Sequence, residues 1–124
     1  MSQLMTVYLR ASQDFQKVYR KGNRYEGALM TAFVLPNKLS HNRFGITASR
    51  KALGNAVQRN RAKRLLRETF RLRRSLLFDL QERYDWVLNA KRALPGLKVT
   101  AAIEEFEKLI IRVAKEESKA RKFG

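Results

Sequence analysis

Phe15, Val18 and Tyr19 recur at the three-and-four spacing of one helical face, in a segment that Ser12 can cap and Gly22 can end. This predicts a first helix of about three turns. The period then shortens. From Tyr25 to Leu35 the run YEGALMTAFVL, stopped by Pro36 and Asn37, reads as one strand or as a pair separated at Gly27. After the polar turn Asn37 to Asn42, the stretch FGITA from Phe44 to Ala48 gives a further strand signal.

The longest helical pattern runs from Ala56 to about Arg74, led in by Gly54 and by Asn55, a good N-cap. YDWVLNA, Tyr84 to Ala90, alternates like a strand, and Leu94, Pro95 and Gly96 punctuate. A last helix follows from Thr100 with Ile103, Phe106, Ile110 and Val113 on one side, acids in its first turns and Lys115, Lys119 and Arg121 towards its end. Helix, strands, helix, strand, helix excludes both a bundle and an all-β sandwich. The order predicts a small two-layer α/β sandwich of the α+β kind, with three helices covering one main face of a sheet of about four strands. No repeat or linker divides the 124 residues, so one domain is expected, with loose ends over 1–9 and 116–124.

Composition adds a partner class. Lys and Arg number 27 against 11 Asp and Glu, a formal charge of +16, which favours a polyanion. Hydrophobic residues make up 44% of the chain, more than a disordered basic tail carries, so the charge decorates a folded domain. There is no Cys, which excludes disulfides, thiolate zinc and cysteine nucleophiles. No apolar run approaches the roughly 20 residues of a membrane span, and MSQLMTVYLR lacks the apolar centre of a secretory signal. A cytoplasmic protein with no membrane partner is expected.

The charge is concentrated. SRKALGNAVQRNRAKRLLRETFRLRR, Ser49 to Arg74, holds ten Lys and Arg and one acid, Glu68. At about 100° per residue, Arg59, Asn60, Lys63, Arg64, Arg67 and Arg71 share one arc, and Ala62, Leu65, Leu66, Thr69 and Leu72 share the opposite one. Arg61 lies nearer the flank. Solvated helix faces usually mix signs to limit self-repulsion, and this one does not. Arginine can grip phosphate bidentately and stack on bases, which favours nucleic acid over a membrane surface. Asn60 offers both a donor and an acceptor, and reads either as a contact to a base edge or sugar hydroxyl or as an ordinary exposed polar residue.

Catalytic signals are weak by contrast. His41 is the sole histidine and sits in a polar turn, and Asp14, Glu26, Asp79 and Asp85 show no paired-acid or metal-ligand spacing. Glu104, Glu105 and Glu107 fall at the acidic start of a helix, where the dipole accounts for them. No catalytic residue and no protein-bound metal are assigned.

Arg50-Lys51, Gly54-Asn55-Ala56-Val57, Arg59-Asn60-Arg61, Lys63-Arg64 and Arg67, taken in order, resemble the signature of the bacterial ribonuclease P protein family. Asp14-Phe15-Gln16-Lys17-Val18-Tyr19, with Gly22 behind it, resembles that family's first helix, and the element order agrees from about Arg10 to Val113. The resemblance implies a ribosomal-protein-S5-like sandwich with a left-handed βαβ crossover. It also implies a non-catalytic subunit of an endoribonuclease that trims the 5′ leader from precursor tRNA, hydrolysis being performed by a catalytic RNA with its own Mg2+.

By the same resemblance the RNA-binding residues would be Arg50, Lys51, Asn55, Arg59, Asn60, Arg61, Lys63, Arg64, Arg67 and Arg71. A groove for the single-stranded leader would use Phe15, Tyr19 and Phe33; spacing alone leaves these aromatics open as core residues. The implied partners are the catalytic RNA and precursor tRNA, with no obligate protein partner. Two rivals remain. A ribosomal or ribosome-assembly protein shares the composition, and a DNA-binding protein could use the basic helix in a major groove. The second is weakened by strand signals on both sides of that helix where helix-turn-helix spacing needs a partner helix.

Overall fold

A computed structural model describes residues 7–123, with side chains placed for residues 7–120. The order is β1 (Val7–Tyr8), α1 (Ser12–Lys21), β2 (Asn23–Glu26), β3 (Met30–Pro36), β4 (Arg43–Thr47), α2 (Arg50–Leu53), α3 (Ala56–Arg73), β5 (Tyr84–Ala90) and α4 (Val99–Phe123). Short 3-10 turns at Arg74–Asp79 and Leu94–Gly96 flank β5. The five strands form one sheet in the order β1-β4-β5-β3-β2. β1 and β5 each pair parallel with β4, whereas β3 pairs antiparallel with β2 and β5. The chain from β4 to β5 is thus a parallel crossover carried by α2 and α3.

The expected layered α/β sandwich is the architecture, with two refinements. There are five strands, because Tyr25 to Leu35 is a hairpin turning at Gly27 and because β1 adds an edge too short to show a period. The helices also divide between the faces. Strand alternation sends Met30, Ala32, Val34, Phe44, Trp86 and Leu88 to one side, where they pack with Leu66 and Phe70 of α3 and Phe106, Leu109 and Val113 of α4. It sends Phe33, Leu35 and Val87 to the other, where α1 lays down Phe15 and Val18 beside Leu9. Phe70 stacks on Phe44 with ring centroids 3.9 Å apart, tying α3 to the crossover's first strand.

Three sequence expectations are corrected. Ser12 does not cap α1: Ala11 is the N-cap and makes no side-chain capping bond. Leu72 is 38% exposed, and Phe70 takes the inward position because its ring stacks on Phe44. Where loose ends were expected over 1–9 and 116–124, the described parts of those segments are built into the fold: Val7 and Tyr8 pair with β4, Leu9 is buried, and α4 runs to Phe123 with Glu117 buried. Residues 1–6 and 124 lie outside the described residues.

Carboxylates hold the loops. Glu105 of α4 accepts from the backbone N–H groups of Ala28, Leu29 and Met30 at 2.8–2.9 Å, fixing the β2–β3 turn. Glu117 accepts from the N–H groups of Gln81 and Glu82 and from the Tyr84 hydroxyl, which fixes the entry to β5. Burial beside this carboxylate pushes the Tyr84 phenol well above the ordinary tyrosine range. Asp85 receives a two-pronged contact from Arg43, at 2.8 and 2.6 Å, and a third bond from the Asn37 amide.

Candidate RNA interface

The basic helix is anchored on one side and open on the other. Ala62, Leu66, Thr69 and Phe70 are its buried residues, and Asn55 caps its first turn by accepting from the Gln58 N–H at 2.9 Å. Gly54, at φ +82°, makes the bend from α2 that an L side chain resists. Arg50 and Lys51 stand exposed on α2, whose N-cap Ser49 accepts from the Ala52 N–H. Asn55 therefore has a structural duty in addition to any contact with RNA.

Along α3, Asn60, Arg61, Arg64, Arg67 and Arg71 are exposed, and Arg59 and Lys63 are half-buried at the flank. Among the described residues, Arg50, Lys51, Arg59, Arg61, Lys63, Arg64 and Arg67 make no ion pair. Arg71 differs: Glu68 binds it at 2.6 Å, and the contact lowers the Glu68 carboxyl below its ordinary range. Arg73 is turned away to Glu107 of α4 at 2.6 Å. The uncompensated stretch of the helix thus runs from Arg59 to Arg67. Like charges crowded there repel one another, and a polyphosphate chain relieves that repulsion.

Asn60, Arg61 and Arg64 line a cavity of about 480 Å³ with Val57, Leu65 and Leu97. Val57 is 71% exposed, so the apolar side of this hollow faces solvent next to the cations.

The opposite face of the sheet is thinly covered. Phe15 rests on Gly45 so closely that a Cβ there would lie 2.6 Å from the Phe15 ring. Tyr19 meets Phe33 edge-to-face, with centroids 4.9 Å apart. Phe15 and Phe33 are half-buried and Tyr19 is exposed, so all three rings keep surface available. The Tyr19 hydroxyl donates to Asn89 Oδ1 at 2.8 Å.

These two regions meet at β4. A cavity of about 180 Å³ is lined by Tyr8, Leu9, Phe15, Gly45, Ile46, Lys63 and Arg67. It brings an aromatic ring of α1 and two free cations of α3 to one hollow at the sheet edge. Among the described residues no three His, Cys, Asp or Glu side chains gather as a metal-binding group. No helix among them is long and apolar enough to cross a membrane.

The profile of the family described as Ribonuclease P matches residues 5–114. The chain belongs to the ribonuclease P protein family. It is 38% identical over 109 residues to the ribonuclease P protein component of Natranaerobius thermophilus, covering 88% of this chain and 90% of the relative. It is 35% identical over 113 residues to that of Caldanaerobacter subterraneus, covering 91% and 94%. Among solved structures, the RNase P protein of Staphylococcus aureus superposes with TM-score 0.72 at 28% identity, over 90% of this chain and 97% of that one. The RNase P protein of Thermotoga maritima gives 0.72 at 25% identity, over 85% and 96%.

In this ribonuclease P protein the sequence-named cations of α2 and α3 lie on one side of the sheet and the named aromatics on the other. Sequence reasoning missed Tyr8 and Gly45, which complete the connecting cavity, and Thr47 and Asn89, which carry the polar floor beside Tyr19. Thr47 and Asn89 share strand parity with Gly45 and Val87, a signal present in the sequence but silent until the register is known.

Proposed function

We propose that this ribonuclease P protein contributes binding and not chemistry: α2 and α3 lie against the catalytic RNA, and the groove beside α1 holds the 5′ leader of precursor tRNA. Phosphodiester hydrolysis belongs to the RNA and its Mg2+. The observation that carries this reading is the cavity at β4, where Phe15 faces the same space as Lys63 and Arg67. A single strand has two features to recognise, flat bases and a charged backbone. Rings offer stacking to any base, and cations neutralise phosphate whatever the sequence. A surface that joins the two suits a partner that must accept many leaders while holding each one next to the RNA.

Reconstitution with a bacterial ribonuclease P RNA at low magnesium tests the reading. Added protein should raise the rate of 5′ processing of precursor tRNA, and it should tighten binding of the precursor more than of mature tRNA, which has no leader. Equal tightening for both would remove the groove from the account. Recovery of ribosomal RNA alone from a pull-down would favour the ribosomal reading.

A further inference from the structure

The groove beside α1 has a polar floor. Thr47 of β4, Asn89 of β5 and Thr31 of β3 are register partners in one row across the sheet. They face the α1 side, two residues along each strand from Gly45, Val87 and Phe33. Asn89 is held by both walls. Its Oδ1 accepts from the Tyr19 hydroxyl at 2.8 Å and from Thr47 Oγ1 at 2.6 Å.

An amide oxygen has two lone pairs, so these bonds use its accepting capacity. The two N–H donors of Nδ2 have no protein acceptor among the described residues. Nor is Nδ2 a buried atom, since no buried side-chain nitrogen or oxygen of the described residues lacks a partner. The result is an oriented amide that can only donate, set beside the rings of Tyr19 and Phe33.

We infer that Asn89 reads one leader base, donating from Nδ2 to a keto oxygen and so preferring uracil over cytosine at that position, with Tyr19 and Thr47 as its positioning residues. This rests on the proposed leader-binding role of the groove. Asparagine commonly pairs with adenine through a donor and an acceptor together, but here the acceptor is engaged. A base that turns an exocyclic amino group towards Nδ2 sets donor against donor and leaves both unsatisfied. Uracil O4 accepts where cytosine N4 donates, and the two bases stack on the same rings with similar area.

The test is the affinity of the reconstituted holoenzyme for precursor tRNAs in which each leader position is set in turn to uridine or cytidine. The wild type should favour uridine by about tenfold at one position and by little elsewhere. Asn89→Asp keeps the shape and the two accepted bonds but has no N–H, and it should erase the preference. Tyr19→Phe keeps the ring and frees the amide to turn, so it should reduce the ratio of uridine to cytidine affinity at that position. If Asn89→Asp fails to give a native unfolding transition, Tyr19→Phe carries the comparison.

Two results overturn the inference while leaving the groove reading in place: no uridine preference at any position, or a preference unchanged in both variants. In either case the precursor would still bind more tightly than mature tRNA, and Phe15→Ala would still diminish that difference. Equal wild-type affinity for precursor and mature tRNA would overturn both.

Discussion

The two faces of the sheet are built to different densities. Beneath α3 and α4, Trp86, Phe44, Phe106, Met30 and Leu66 are wholly buried, and ring contacts run from Phe44 through Phe70 and Phe106 to Trp86. Beneath α1 the buried hydrophobic cluster among the described residues is Leu9, Val18 and Val87, with Phe15, Phe33 and Leu35 partly covered. One helix on a five-stranded sheet leaves apolar and aromatic surface open, and that surface is free to meet a ligand because stability is supplied from the other side. A closed face and an open one in the same sheet separate folding from recognition.

The largest expected effect tests that separation. Phe106→Ala should cost about 3–5 kcal/mol in urea unfolding, the range for losing a fully buried aromatic, whereas Phe15→Ala should cost clearly less. Equal losses would mean that the α1 face is a second core. Next in size, Glu105→Ala strips three backbone N–H groups of their acceptor and should cost about 1–3 kcal/mol, with faster amide exchange at Ala28, Leu29 and Met30. Little change at those amides would detach the β2–β3 turn from α4.

On the open face, Phe15→Ala should weaken precursor tRNA binding by about tenfold, within the 1–3 kcal/mol that one stacked base is worth, while mature tRNA binding holds. The smallest effect concerns pH. Lys91, with help from Arg24, holds the exposed Glu26 carboxyl below its ordinary range. A depressed carboxylate stabilises the fold fully above the ordinary carboxylate pKa and loses that contribution as pH falls through its lowered value. Glu26→Gln should therefore lower stability slightly near neutrality and converge with the wild type in acid, which flattens part of the acid limb of stability against pH. An unaltered acid limb would make this surface pair energetically silent.

Much of this organisation is legible in the sequence, but unevenly. The α3 stripe reads directly because charge and helical period coincide over many residues, and Phe15 with Tyr19 marks a face by spacing alone. What spacing does not give is the side of the sheet on which a helix lands, so three helices read as one layer when α1 occupies the other. Leu72 and Phe70 are both plausible inward residues, and the choice is made by the Phe44 ring. Glu105 and Glu117 look like helix acids placed for the dipole or for solvent. Their partners lie on distant turns, so no local pattern announces that they bind backbone. Asn89 is silent for the same reason, since its positioning groups come from α1 and β4.

Among the basic residues a sharper contrast is available, because Lys63 and Arg67 are free of carboxylates and share the β4 cavity with Phe15, whereas Arg71 is already bound to Glu68. The salt dependence of binding to the ribonuclease P RNA therefore tests the central claim most directly. Lys63→Ala and Arg67→Ala should each lower the slope of log affinity against log salt by about one unit, and Arg71→Ala by less. Slopes unchanged in the first two variants would contradict the account.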